Sequence, residues 1–115
     1  MTILILTYHA VEVGSPPLFT APDTLSAHIS ALAAAGYQSL TLAALAKGLQ
    51  ESKLPERAVV FTFDDGYESV YQNALPRLND AGFTATIFII SGQRDNRWQG
   101  QPSTVPTRSL VTWEQ

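Results

Sequence analysis

Apolar and polar positions follow one another in blocks along this chain, some continuous and some at helical spacing. The first block, residues 3–6 (Ile-Leu-Ile-Leu), is continuously apolar and partly β-branched. That pattern predicts a strand covered on both faces in a parallel sheet. Polar chemistry begins at its end, Thr7-Tyr8-His9. Beyond a Gly14-Ser15-Pro16-Pro17 loop, Thr20-Ala21-Pro22-Asp23 predicts a helix start, with Thr20 as the cap, Pro22 in the first turn and an acid near the positive end. Leu25, Ile29 and Leu32 recur at helical spacing, and Gly36 is the stop. Residues 37–40 make a short strand. Thr41 caps a second helix through about Gln50, with Leu42, Leu45 and Leu49 on one face.

Residues 58–63, Ala-Val-Val-Phe-Thr-Phe, are the strongest strand, and they stop at Asp64-Asp65-Gly66. Residues 69–81 are helical in pattern but contain Pro76, which an unbroken helix does not tolerate in its interior. The expectation is a short turn first and a main helix opening between Asn73 and Pro76, closed by Gly82. Residues 84–90 form another apolar strand, 91–107 a long surface loop, and 109–115 the opening of a further helix capped by Thr112. Strands alternating with helices predict an α/β fold of right-handed βαβ units and a largely parallel sheet. The last strand, 84–90, has no following neighbour to pair with, so it is the expected open edge and a route to self-association.

The 115 residues suffice for one domain or part of one. Hydrophobic residues are 45% and charged residues 15%, the latter below the usual ~25%, which predicts a large buried core and excludes a disordered chain. The net charge is -3 without a basic cluster, so no nucleic-acid footprint or polybasic membrane patch is expected. There is no cysteine. Disulfides, thiol catalysis and thiolate metal sites are therefore excluded, and any metal sits on oxygen or imidazole. No apolar run approaches the ~18 residues of a membrane span. The initial run lacks a basic residue before it and a cleavage site after it, so no signal peptide is read here; this leaves the compartment open, with the chain cytoplasmic only as it stands.

The pair Asp64-Asp65 after the apolar strand is the most informative chemical feature. Neighbouring side chains of a straight strand point to opposite faces, so both acids can serve one site only if the backbone turns there, as Gly66 permits. Parallel folds place their sites in the loops at the carboxyl ends of their strands. The same residues also fit a plain Asp-Asp-Gly turn whose side chains bond local amides. If they are functional, their tasks must differ, because equal neighbours repel and one would protonate. A divalent cation on one leaves the other free to act as a base toward water. Further ligands would be imidazoles, and the chain has only His9 and His28. His9 lies at the carboxyl end of the first strand, on the rim expected for Asp64 and Asp65; a core histidine bonded to a carbonyl is the alternative. His28 reads as a structural or surface residue. Tyr67 and Tyr71 are spaced to line a cleft, although Tyr71 fits a buried aromatic better. Trp113 could pack or face a sugar. No Gly-x-Ser-x-Gly elbow, phosphate loop or Gly-x-Gly-x-x-Gly is present, and an aspartyl-phosphate reading lacks the second acid it needs two residues on.

The string Phe61-Thr62-Phe63-Asp64-Asp65-Gly66-Tyr67 is preceded by Thr7-Tyr8-His9 and followed by Ala74-Leu75-Pro76, residues 85–89 (Ala-Thr-Ile-Phe-Ile) and residues 110–115 (Leu-Val-Thr-Trp-Glu-Gln). In this order the segments resemble the polysaccharide deacetylase family, the NodB homology domain of carbohydrate esterase family four. The resemblance implies the front half of a distorted (β/α) barrel and removal of N-acetyl groups from amino-sugar polymers, or sometimes of acetyl esters. It also implies a divalent metal, often zinc. Asp64 resembles the family's catalytic base and Asp65 its metal-binding aspartate. Tyr8-His9 is similar to the branch acting on poly-N-acetylglucosamine, where His9 would be a rim residue near the substrate, as would Tyr67. The family's His-Ser/Thr-x-x-His motif, which supplies two metal-binding histidines, does not occur in this sequence. Residues 1–115 are thus expected to be a single partial domain that ends before that motif, has an incomplete metal site and is inactive by itself. A non-catalytic carbohydrate-binding or assembly-dependent half-domain is the alternative.

Overall fold

The computed structural model describes residues 1–97 and 105–115; residues 98–104 of the expected loop lie outside the described residues. The elements in chain order are β1 (Thr2–Tyr8), α1 (Pro22–Ala34), β2 (Gln38–Ser39), α2 (Leu42–Glu51), β3 (Arg57–Asp65), a π-helical turn (Val70–Ala74), α3 (Leu75–Asp80) and β4 (Ala85–Ile89). The α/β alternation read from the sequence is therefore the fold. All the ladders are parallel.

β3 is the spine of the sheet. One edge pairs with β1 from Thr2↔Arg57 to Tyr8↔Phe63. The other edge is shared, with β2 beside Ala58 and Val59 and β4 running from Phe61↔Ala85 to Asp65↔Ile89. Ala58, Val59, Val60, Phe61 and Phe63 are wholly buried, which is why this segment is apolar without alternation. β1 departs from that expectation: Ile5 is 55% exposed, while Leu4 and Leu6 pack partly against the core. Among the described residues β1 is paired along one edge only, and it keeps a wet position in mid-strand.

The helices meet the sheet through Leu25 and Ile29 of α1 and Leu78 of α3, against Phe61, Phe63 and Tyr8. Thr20 does not cap α1. The N-cap is Ala21, and the Thr20 N–H instead donates to the Ala10 carbonyl at 2.9 Å. Thr41 does cap α2, its hydroxyl accepting from the Ala44 N–H at 3.0 Å. On α2 the inward positions are Leu45 and Gly48, whereas Leu49 is exposed. A Cβ at Gly48 would stand 2.3 Å from Leu54 Cδ2, so the segment after the helix packs closely on this glycine.

Pro76 acts as expected. The chain makes a π-helical turn, with the Leu75 N–H reaching back to the Val70 carbonyl, and then starts α3 with Pro76 in its first turn. The tail differs from expectation. Residues 109–115 form no helix; Leu110 bridges antiparallel to Tyr67, and Ser109 to Asp95. Thr112 does open a turn, in which the Gln115 side chain accepts from the Thr112 N–H at 2.9 Å. Among the described residues no helix is long and apolar enough to cross a membrane.

Candidate active site

The strand β3 continues two residues past its expected end at Phe63, so that Asp64 and Asp65 still pair with Phe88 and Ile89. The backbone then turns: φ is +74° at Asp65 and +67° at Gly66. Left-handed geometry costs an L side chain roughly 1–2 kcal/mol, and Asp is among the residues that tolerate it best. Segment 109–111 holds the turn in place. The Val111 N–H donates to the Gly66 carbonyl at 2.8 Å, and the Glu68 N–H to the Ser109 carbonyl at 2.9 Å. At Gly66 a Cβ would meet Ile89 Cγ2 at 3.2 Å. The turn that lets two adjacent acids share a rim is thus both required by Gly66 and clamped from outside.

Register places His9 beside the first acid. Tyr8 stands opposite Phe63, so the next residues, His9 and Asp64, are neighbours across β1 and β3. His9 Nε2 lies 3.7 Å from Asp64 Oδ2, with the two side chains 33% and 38% exposed. Below them Tyr8 is stacked on Phe63 and Phe61, with ring centroids 5.3 and 6.2 Å away. Its hydroxyl meets His28 Nδ1 at 2.8 Å, and burial pushes that hydroxyl above its ordinary pKa. His28 therefore has the structural role expected of it. Thr62 Oγ1 donates to the Leu6 carbonyl at 2.9 Å and lies 3.1 Å from Thr7 Oγ1, locking β1 to β3 just under the rim.

Asp65 faces a different neighbourhood, an open cleft of about 760 Å³ whose lining includes Glu68, Gln93, Arg94, Trp113 and Glu114. Trp113 is 80% exposed. Tyr67 is not on the rim as expected but buried, with its ring in the core. Burial raises its hydroxyl pKa, a hydrogen bond with Asn96 opposes that, and the charges of Asp65 and Glu12 add to the rise. Tyr71, expected to be buried, is the exposed one. Arg94 and Glu68 escaped the sequence reading. They reach the cleft through the Asp95–Ser109 and Tyr67–Leu110 bridges, which join distant segments and leave no local pattern.

Among the described residues no three His, Asp or Glu side chains gather to hold a metal ion. The rim carboxylates and His9 therefore do not by themselves fit a divalent cation, which takes about four ligands.

The polysaccharide deacetylase family model matches residues 51–107. A Bacillus subtilis relative, YxkH, whose name places it provisionally among polysaccharide deacetylases, is 41% identical over 75% of this chain and 31% of its own length. The Escherichia coli poly-beta-1,6-N-acetyl-D-glucosamine N-deacetylase is 48% identical over 37% of this chain and 6% of its own length. Among solved structures, IcaB from Ammonifex degensii superposes with a TM-score of 0.77 at 28% identity, covering 97% of this chain and 45% of that one. The Streptococcus pyogenes deacetylase PplD, in complex with acetate, superposes with a TM-score of 0.71 at 32% identity, covering 78% and 43%. A parallel α/β sheet with an acidic rim at its carboxyl ends defines the class, and these likenesses define the family. The chain belongs to the polysaccharide deacetylase family, and it spans less than half the length of the relatives it matches.

Proposed function

We propose that this chain carries the carboxylate rim of an enzyme that removes N-acetyl groups from amino-sugar polymers, with Asp64 as general base and Asp65 as the carboxylate offered to a divalent cation such as zinc. The observation that supports this reading is the 3.7 Å approach of His9 to Asp64 beside the left-handed turn at Asp65. The two acids differ in surroundings, as acids with different tasks must. Asp64 has an imidazole beside it, whereas Asp65 opens on the cleft.

In the proposed reaction the oxygen of a water molecule adds to the acetamide carbonyl carbon while Asp64 takes its proton. Breaking the carbon–nitrogen bond then releases acetate, and the amine departs with the proton that Asp64 took, which restores the carboxylate and leaves a free amino sugar. His9 borders the base and limits where the sugar can lie, and Tyr67 is buried behind the turn. The name of the Escherichia coli relative supports an amino-sugar polymer as the substrate class.

Asp65 is one ligand where about four are needed, so the others belong, in this proposal, to parts of the domain not contained in residues 1–115. Accordingly the 115-residue chain is expected to bind the cation weakly and to release negligible acetate. Exposure of Trp113 beside the cleft also suits a non-catalytic sugar-binding half-domain. Acetate release from N-acetylglucosamine oligomers by the complete domain, absent from its Asp64→Asn variant, tests the enzyme reading; sugar binding without any release would favour the alternative.

A further inference from the structure

His9 is useful to Asp64 only if its backbone is held, and the chain just after it is unusually well held. Ala10 and Val11 are fully buried, so each of their backbone polar groups needs a partner. Ala10 is satisfied locally: its N–H donates to the Leu18 carbonyl at 3.0 Å, and its carbonyl accepts from the Thr20 N–H at 2.9 Å. Val11 is satisfied from across the molecule by side chains. Its N–H donates to Ser69 Oγ at 2.9 Å, and its carbonyl accepts from Asn73 Nδ2 at 2.7 Å.

Ser69 and Asn73 follow Asp64-Asp65 in the chain and flank the start and middle of the π-helical turn Val70–Ala74. Residues four apart in an α-helix are rotated by about 40° from alignment, given 3.6 residues per turn. Across this turn both side chains nonetheless reach the backbone of one residue, Val11. The turn runs directly into Pro76, which has no N–H for an ordinary helical bond. Asn73 is braced in its turn, its carbonyl accepting from Arg77 Nη1 at 2.8 Å while Arg77 Nε donates to Ser26 Oγ on α1.

We propose that Ser69 and Asn73 are positioning residues, which clamp the backbone of Val11 and thereby fix His9, just beyond β1, against Asp64 of β3. They touch neither substrate nor Asp64; they act through the backbone two residues beyond His9. This proposal rests on the deacetylase reading for its kinetic consequence but not for its structural one. The grip on the N–H and the carbonyl of Val11 is made by neutral side chains, while the next residue, Glu12, is held by an ion pair with Arg108.

The test compares Ser69→Ala, Asn73→Leu and Ser69→Thr, which keeps the hydroxyl, in two measurements. In the 115-residue chain, nuclear Overhauser contacts between the His9 ring and the Asp64 side chain are expected to weaken in Ser69→Ala and Asn73→Leu and to return in Ser69→Thr. Unchanged contacts in both disrupted variants would overturn the proposal, as would loss of the contacts in Ser69→Thr while that chain stays folded. In the complete domain, kcat is expected to fall tenfold to about 100-fold, the scale of a small misplacement near the chemistry, with KM held. A fall in KM affinity with kcat intact would also overturn it. If Asp64→Asn keeps full activity while the clamp variants still disturb the His9 ring, the deacetylase reading has failed and the clamp has not. Should either disrupted variant fail to fold, the other and the threonine variant carry the comparison.

Discussion

His9 directly follows β1 and Asp64 lies near the end of β3, yet Nε2 of one stands 3.7 Å from Oδ2 of the other. The register of β1 on β3 accounts for this, since Tyr8 opposite Phe63 makes the two following residues neighbours at the carboxyl rim. The distance exceeds a hydrogen bond and leaves the Asp64 oxygen available to a water proton. The rim is thus set by sheet pairing, and the chemistry proposed for it depends on keeping that register.

Gly66→Ala is expected to destabilise the protein by about 1–2 kcal/mol, the cost of placing an L side chain in left-handed geometry. A Cβ there would also press on Ile89 Cγ2 at 3.2 Å. Urea unfolding measures it. A change within a few tenths of a kcal/mol would mean that the turn relaxes and that Asp65 is not held as described.

Stability is expected to fall as the pH rises past about 10, the ordinary tyrosine pKa. Burial raises the Tyr8 and Tyr67 hydroxyls, so above that pH the unfolded chain releases protons that the folded chain still holds. Their contribution is therefore complete below the unfolded pKa and is lost as the pH climbs toward the folded one. Tyr8→Phe should lower stability at neutral pH, through loss of the His28 hydrogen bond, and flatten the alkaline decline. An alkaline slope that is unchanged in Tyr8→Phe contradicts the assignment.

The free side of β4 should drive self-association. Ile87, Phe88 and Ile89 are exposed by 44%, 51% and 49% on a strand that pairs with β3 alone among the described residues. Sedimentation velocity of the 115-residue chain is expected to show concentration-dependent association that Phe88→Lys reduces. A monomer at every concentration would refute it.

Much of this arrangement was legible in the residues. The run 58–63 ending in two acids and a glycine announced both the central strand and the acid turn at its end, because only a segment buried on both faces is apolar without alternation. Pro76 announced the break before α3. Other features were hidden for physical reasons. Tyr67 and Tyr71 share a face at helical spacing, but Tyr67 precedes the helical segment and its backbone pairs with Leu110, so the buried and exposed partners are exchanged. Likewise the clamp of 109–111 on the acid turn consists of backbone bonds between distant segments. Thr112 marked a turn correctly, whereas the residues just before it were committed to that clamp.

The central claim, that Asp64 is the base and Asp65 the cation's carboxylate, is tested most directly by measuring acetate release and bound divalent metal together in Asp64→Asn and Asp65→Asn variants of the complete domain. For Asp64→Asn, metal is expected to stay largely bound while acetate release falls by at least about 10²–10⁴-fold, the scale of a lost general base. Asp65→Asn should chiefly lose metal. Equal loss of metal in both variants, or acetate release that survives Asp64→Asn, would contradict the division of labour between the two acids.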